Sequence, residues 1–279
     1  MYPVVETSAN TSFLSIIKTN PRGEKPRKSG ITEIRGPYYS VMGKRYLEDI
    51  LDTMGSYVDS LKFAGGSFVL INPTALQEMI AIAHDHNVMV STGGFIEYVL
   101  TQGKDAVKKY IQTCKNVGFD IIEISCGFIT LPTDDLLRLI DIVHREGLKV
   151  KTEIGVQFGA GGSSQPAELK AEGLRDADYA IKQARRFINE GVYLVLLESE
   201  GLTENVDSWR TDIIAKFIDE LGPEKLMFEA ADPQVFEWYI KNYGYKVNLF
   251  VDHSQIVQLE CLRSGIWGTK STWGRIQGF

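Results

Sequence analysis

The residues best suited to chemistry in this chain are glutamates and lysines placed in or directly after short apolar runs. Five such positions stand out, and they are Lys62, Glu123, Glu153, Glu198 and Glu229. Short apolar runs are typical of buried strands, where an ionised side chain is costly unless it is paired or metal-bound. These five are therefore the candidate catalytic residues.

Clustered carboxylates beside a lysine suit one kind of reaction. Glutamate oxygens are the ligands that Mg²⁺ prefers, and Glu198 and Glu229 are the candidate metal ligands. The metal would stabilise an oxyanion on the substrate while the lysine or an acid moves a proton. The alternative is a buried network of ion pairs with no chemistry, because the two look alike in sequence.

Further polar or small residues follow the same apolar runs and are candidate substrate-binding residues. They are Gly66, Ser67, Gly93, Gly94, Ser125, Lys151, Asn248 and His253. The glycines are compatible with close approach of backbone N–H groups to a phosphate or carboxylate, although glycine pairs also occur simply for turn geometry. For Glu97 and Glu200, two interpretations remain: a role in the site, or a solvated position in a loop. For His253, a functional role likewise remains one of two interpretations.

The apolar runs predict eight strands separated by helices. The strands are 31–35, 58–63, 88–91, 121–125, 150–154, 193–198, 226–229 and 247–251. The helices are 44–54, 75–86, 105–117, 133–145, 176–189, 207–221, 233–243 and 255–264. Gly118, Gly147 and Gly191 follow helices as C-terminal glycines often do.

Eight successive βα units are the number that closes a (β/α)₈ TIM barrel. An open doubly wound sheet usually has fewer strands and a glycine-rich first turn, and no GxGxxG follows the first strand here. The sequence therefore predicts a single-domain barrel over residues 31–279. In such barrels the active site lies at the C-terminal ends of the strands, where the candidate residues stand.

Residues 1–30 form an N-terminal extension without a helical or strand period. Lys18, Arg22, Lys25, Arg27 and Lys28 cluster there with prolines and glycines. We expect a poorly ordered or surface-draped segment, or an arm that packs on a neighbouring subunit of a homo-oligomer.

Composition excludes several function classes. The net charge of −6 argues against nucleic acid and against an anionic membrane as partners. No apolar run approaches the roughly 20 residues that cross a bilayer, and the N-terminus lacks a signal-peptide core. Cys114, Cys126 and Cys261 are odd in number and widely spaced, which predicts reduced thiols in the cytoplasm and no structural zinc site.

An ordered series of segments resembles the phosphosulfolactate synthases. Asp59–Ser67 is similar to the family's D-x-x-K-F-x-x-G-[ST] segment, and Gly93, Gly94 and Glu97 resemble its G-G-x-x-x-E stretch with a one-residue slip. The series continues through Gly118–Ser125 with Gly127, Thr152–Gly155, Phe228–Ala230, Val247–Leu249 and Leu259–Arg263. Together the segments extend over about residues 56–265.

The resemblance implies a lyase that adds sulfite to phosphoenolpyruvate, with Mg²⁺, on an α/β barrel. Sulfite would attack the methylene carbon, and charge would build on the substrate carboxylate, where Mg²⁺ can stabilise it. Lys62 is the first choice for the acid that then protonates the phosphate-bearing carbon.

One departure separates this chain from the synthases. They carry an Arg-Glu-Ser-Gly-like run after the strand-six glutamate, whereas this chain reads Glu198-Ser-Glu-Gly-Leu-Thr203. It is closer to the heat-stress-associated branch known from plants, which segments 35–39, 209–216 and 251–255 resemble. Arg35 is the first candidate to replace the missing cation, Arg210 the second and Lys151 the third.

Three hypotheses follow. The first is a synthase acting on phosphoenolpyruvate and sulfite, and the second is an enzyme that uses the same site for another small phosphorylated or carboxylated anion. The third is a non-catalytic barrel that acts in stress protection by binding proteins. The third does not require metal or anion binding at the strand ends.

Overall fold

The structure, a computed structural model, describes residues 13–161, 165–230 and 232–268. Eight parallel strands follow one another around a closed barrel. They are β1 Thr32–Arg35, β2 Ser60–Lys62, β3 Met89–Ser91, β4 Ile121–Ile124, β5 Lys149–Ile154, β6 Leu194–Leu197, β7 Leu226–Glu229 and β8 Leu249–Asp252. β8 pairs with β1, placing Thr32 opposite Leu249 and Arg35 opposite Asp252. The predicted (β/α)₈ barrel is confirmed.

Helices surround the barrel. They are α1 Lys44–Met54, α2 Pro73–Asp85, α3 Ile96–Leu100, α4 Lys104–Val117, α5 Thr133–Arg145, α6 Pro166–Glu172, α7 Ala177–Asn189, α8 Thr211–Leu221, α9 Pro233–Tyr243 and α10 Ile256–Ser264. The short α3 and α6 lie in the loops after β3 and β5, where the sequence predicts no helix. None of the helices in the described residues is long and apolar enough to cross a membrane.

The strand residues alternate between two packed regions, because successive side chains of a strand point to opposite faces. Residues such as Ile34, Leu61 and Ile122 point outward into the apolar layer beneath the helices. The inward-facing set includes a small apolar cluster of Ile31, Leu194, Leu196, Met227 and Phe250. The remaining inward positions near the strand C-termini are largely charged, and they form the site described below.

The described part of the N-terminal extension lies against the barrel. Asn20 bonds the carbonyl of Ser264 at the end of α10 (3.0 Å), and Arg22 pairs with buried Glu260 (3.1 Å). Lys25 donates to the carbonyls of Gly55 and His86, and Arg27 pairs with Asp59 (3.0 Å). The basic residues therefore bind carbonyls and acids around the strand N-termini. Residues 1–12 of the predicted extension lie outside the described residues.

Candidate active site

A cavity of about 230 Å³ opens at the C-terminal ends of the strands. Its lining includes all five candidate catalytic residues: Lys62, Glu123, Glu153, Glu198 and Glu229. Each comes from a different strand or directly follows one, so closure of the barrel brings together residues far apart in the chain. Arg35, Gly94 and Ser125 from the predicted substrate-binding set also line this cavity.

A chain of alternating charges leads from the barrel interior to this cavity. Lys151 pairs with Glu33 below and with Glu123 (2.9 Å), while Lys62 pairs with Glu123 (2.7 Å) and Glu153 (3.3 Å). Burial alone would lower the pKa of Lys62, but Glu123 and Glu153 outweigh it and the pKa is raised. Burial would likewise raise the pKa of Glu123, but Lys151 and Lys62 lower it. Lys62 and Glu123 are therefore held in their charged forms.

Three acids form a separate cluster beside Lys62. Carboxylate oxygens of Glu153, Glu198 and Glu229 all lie within 4.8 Å of one another. Burial, with Glu123 and Glu229 adding like charge, raises the pKa of Glu153 to about 8 despite Lys62. Burial, followed by Glu229 and Glu153, raises the pKa of Glu198 well above its usual value. Buried acids this close to one another keep protons, because protons reduce the repulsion between them, and a bound cation would displace these protons.

The donor set of this acid cluster fits a divalent metal. All three residues offer oxygen, the donor that hard cations such as Mg²⁺ take. No lysine or arginine among the described residues forms an ion pair with Glu198, whose Oε1 accepts from the backbone N–H of Glu200 (3.0 Å). A bound cation would supply the missing positive charge. Glu153 was not among the predicted metal ligands, and the geometry adds it to Glu198 and Glu229.

Arg35 points into the cavity from the end of β1. Its guanidinium pairs with Glu229 and lies over the ring of Phe250, 4.9 Å from the centroid, and near that of Tyr39, 5.0 Å away. The two rings and the ion pair fix the plane of the guanidinium, which leaves a cation positioned beside the acid cluster. Arg35 therefore lines the cavity, and its role as the replacement for the missing strand-six arginine stays a prediction.

Glu97 and Glu200 are buried, and each holds a neighbouring loop. Glu97 accepts from Ser125 Oγ (2.6 Å) and from the backbone N–H groups of Gly127, Phe128 and Ile129 at 2.9–3.1 Å. Glu200 accepts from the N–H of Gly161 (2.9 Å) in the loop after β5. Both residues therefore order the loops that surround the cavity, and neither is a solvated loop residue.

The glycine pair after β2 has a backbone conformation that favours glycine. Gly65 and Gly66 have positive φ values of 59° and 69°. A Cβ at Gly65 would overlap the ring of Tyr38, and a Cβ at Gly66 would overlap the ring of Phe95. The glycines thus make room for two aromatic rings beside the cavity. Gly66 and Ser67, predicted to bind an anion, do not line the cavity.

The other predicted substrate-binding residues do not line the cavity. Gly93 packs against the backbone of Phe63 and Ala64, and Lys151 is buried one layer deeper with Glu33. Asn248 bonds the backbone of Ile31 and Leu226, and His253 contacts the carbonyl of Arg35 and the hydroxyl of Tyr46.

Arg210, another predicted substrate-binding residue, lies outside the cavity. It stands at the start of α8, where its side chain pairs with Asp212 (3.0 Å) in the outer helix layer. The loop after β6 carries this residue out to the helix layer, and it does not line the cavity. Of the three candidates for the missing cation, Arg35 alone lines the cavity.

Several cavity residues were not predicted from sequence. They are Tyr38, Tyr39, Phe95, Tyr98, Phe128, Gly161, Glu204 and Phe250, with Glu33 directly beneath. Glu33 could have been found, because it stands two residues before Arg35 on β1 and so shares its face. The aromatic residues carry no comparable signal, since loop and core aromatics look alike in sequence.

The comparisons with known proteins agree with this architecture. The profile of the family described as (2R)-phospho-3-sulfolactate synthase (ComA) matches residues 20–269. HEAT-STRESS-ASSOCIATED 32 of Arabidopsis thaliana is 41% identical over 259 residues, covering 89% of this chain and 91% of that protein. A phosphosulfolactate synthase of Methanothermobacter thermautotrophicus is 26% identical over 265 residues, covering 92% and 96%.

Among solved structures, a putative fructose-1,6-biphosphate aldolase from Coccidioides immitis has a TM-score of 0.56 at 13% identity. The match covers 89% of this chain and 86% of that one. At this identity the likeness shows the fold alone. The profile match and the plant relative cover most of the chain, and the chain belongs to the phosphosulfolactate synthase family.

Proposed function

We propose that this protein adds sulfite to phosphoenolpyruvate, with Mg²⁺, to form phosphosulfolactate. The observation that carries the proposal is the acid cluster of Glu153, Glu198 and Glu229 with Lys62 at its edge, in one cavity of a family member. A metal-binding group and a proton donor side by side are what addition to an enol phosphate requires.

The charge balance of the cavity supports the proposed requirement for a metal. Seven glutamates line it, against the cations Arg35 and Lys62. A phosphorylated carboxylate would be repelled from such a site unless further positive charge were present. Glu153, Glu198 and Glu229 would hold Mg²⁺, which when bound would counter the negative charge developing on the substrate carboxylate.

Two residues of the chain would bind the substrate and supply the proton. Arg35 offers a planar fork of N–H donors, which suits a phosphate or carboxylate group. The sulfur lone pair of sulfite forms a bond to the methylene carbon, and the electrons of the double bond move toward the carboxylate. Lys62 then gives a proton to the phosphate-bearing carbon and is reprotonated from bisulfite or solvent. Phosphoenolpyruvate and bisulfite together thus become phosphosulfolactate, with no other product.

A second candidate function uses the same cavity for another small anion. It is favoured by the strand-six segment, where Glu200 and Glu204 add negative charge to the lining and the arginine of the synthases is missing. A substrate with less negative charge than phosphoenolpyruvate would then be preferred. Stress protection by a non-catalytic barrel is the third reading, and it requires neither metal nor anion in the cavity.

The experiment that tests the proposal follows the loss of the enol absorbance of phosphoenolpyruvate with sulfite and Mg²⁺. We expect turnover that needs all three components. Lys62→Met should slow it by about a hundredfold or more, the usual worth of a general acid. Lys44→Met, at a half-exposed surface lysine, is the control and should leave the rate unchanged.

Absence of turnover in folded protein that binds Mg²⁺ and phosphoenolpyruvate would contradict sulfite addition and favour another anion. Absence of both metal and anion binding would favour the non-catalytic reading.

A further inference from the structure

A second, larger cavity lies outside the active site, in the helix layer between α2 and α4. It has a volume of about 540 Å³. Phe68, Phe95 and Phe119 lie along it, with Leu76 of α2 and Tyr110 of α4 on its sides. The rings pack together, Phe68 lying 5.6 Å from Phe95 and 5.0 Å from Phe119 between centroids. We call this feature the α2–α4 groove.

The size and lining of the α2–α4 groove are those of a small-molecule site. Ligand sites usually measure roughly 300–1,000 Å³ and combine an apolar lining with a few polar groups. Here the polar side chains are few, and they include Gln77, Gln102 and Thr113. An apolar groove of this size favours a ligand with an apolar body, because binding removes its lining from water.

The charge of the α2–α4 groove indicates which kind of ligand. Among the described residues that line it, Lys109 carries the one charged side chain. No ion pair joins Lys109 to an acid in the described part of the chain, although the protein as a whole carries a net charge of −6. A cation without an acid at the edge of an apolar groove complements a ligand with an anionic end.

We propose that the α2–α4 groove binds an anionic amphiphile, a molecule with a hydrocarbon body and a carboxylate head. The hydrocarbon would lie on the ring cluster, and the carboxylate would face Lys109. Phe95 and Tyr98 line both this groove and the active-site cavity. The ligand would therefore contact the opposite side of a wall that the two cavities share.

Dodecanoate, kept below its micelle concentration, is the probe, and calorimetric titration is the measurement. We expect saturable binding of one molecule per chain. Lys109→Gln should weaken binding about two- to fivefold, the usual range for an exposed charge pair. Lys108→Gln is the matched control, because Lys108 is the preceding exposed lysine of α4 and does not line the groove. Thr113→Phe should abolish binding by filling the groove.

Three binding results would overturn the proposal: no saturable binding to the unmodified protein, equal effects of the two lysine variants, or binding that persists when the groove is filled. If Thr113→Phe does not fold, Ala106→Leu fills the same groove from a position two turns earlier in α4. Sedimentation of each variant supplies the last test. Self-association of the unmodified chain that Thr113→Phe dissociates would make the groove a subunit interface and overturn the proposal.

Discussion

Replacing Glu198 by glutamine should stabilise the metal-free fold and weaken cation binding at the same time. Glu198 is buried beside Glu153 and Glu229, and burial followed by these neighbours raises its pKa. Glutamine keeps the shape and the oxygen that accepts from the N–H of Glu200. Its NH₂ group can donate to the neighbouring carboxylates, as the protonated native acid can, but glutamine cannot ionise in the unfolded chain.

The size of the effect follows from the direction of this shift. Because the pKa is raised in the folded protein, the unfolded chain loses the proton first as the pH rises above about 4.3, the ordinary value for glutamate. For each pH unit above that value at which folded Glu198 keeps its proton, the folded state loses about 1.4 kcal/mol relative to the unfolded chain. At pH 6.5 we expect Glu198→Gln to raise the free energy of unfolding by about 1–3 kcal/mol. Near pH 4 both side chains are neutral, and the difference should approach zero.

Urea unfolding at several pH values, with and without Mg²⁺, measures this effect. Mg²⁺ should stabilise the unmodified protein, because a cation that binds only the native state raises the free energy of unfolding. The same concentration of Mg²⁺ should stabilise the Glu198→Gln variant much less. Glu78→Gln is the control: Glu78 forms a half-exposed pair with Lys44, and its loss should change stability by less than about 1 kcal/mol at any pH.

Two results would refute the reasoning. A destabilised Glu198→Gln variant at pH 6.5 would mean that the native carboxylate is already compensated without a metal. A Mg²⁺ effect of equal size in both proteins would place the cation elsewhere.

Three more predictions concern the charged residues around the cavity. Arg35→Ala should weaken phosphoenolpyruvate binding by about 1.5–3 kcal/mol in calorimetry, the worth of a charge-assisted hydrogen bond, and unchanged affinity would exclude Arg35 as the anion ligand. Glu97→Gln should lower the free energy of unfolding by about 2–3 kcal/mol, because an amide nitrogen cannot accept from the N–H groups of the loop after β4. A loss below about 0.5 kcal/mol, measured by urea unfolding, would contradict this. Lys151→Met should cost about 3–5 kcal/mol by leaving Glu33 and Glu123 with less compensation, and an effect no larger than that of Lys44→Met would be inconsistent with the buried network.

The sequence was sufficient to predict the barrel and the strand ends. Period and length separate strands from helices here, and a run of eight βα units leaves few other architectures. Six of the predicted strands are one to three residues longer than the observed ones, β7 agrees, and β5 begins one residue earlier than predicted. Val58–Phe63 shortens to Ser60–Lys62, for example, because Phe63 already leads into the 3₁₀ turn Ala64–Leu70.

The contacts of side chains in the loops could not be predicted from the sequence in the same way. Glu97 and Glu200 bind backbone N–H groups of other loops, a role set by tertiary contacts with no local pattern. Arg35 ends β1, whereas Arg210 stands at the far end of the long connection after β6, at the start of α8 in the helix layer. In a strand, alternation determines the face to which each side chain points. In a loop, the direction of a side chain depends on how the loop packs.

The most direct test of the proposed reaction is carbon NMR of phosphoenolpyruvate labelled with ¹³C at its methylene carbon, incubated with the protein, Mg²⁺ and sulfite. Sulfite addition predicts that the vinyl resonance is replaced by that of a saturated methylene carbon bonded to sulfur, in unmodified protein and not in Lys62→Met. A vinyl resonance that persists unchanged, with folded protein that binds Mg²⁺, would contradict carbon–sulfur bond formation at this site.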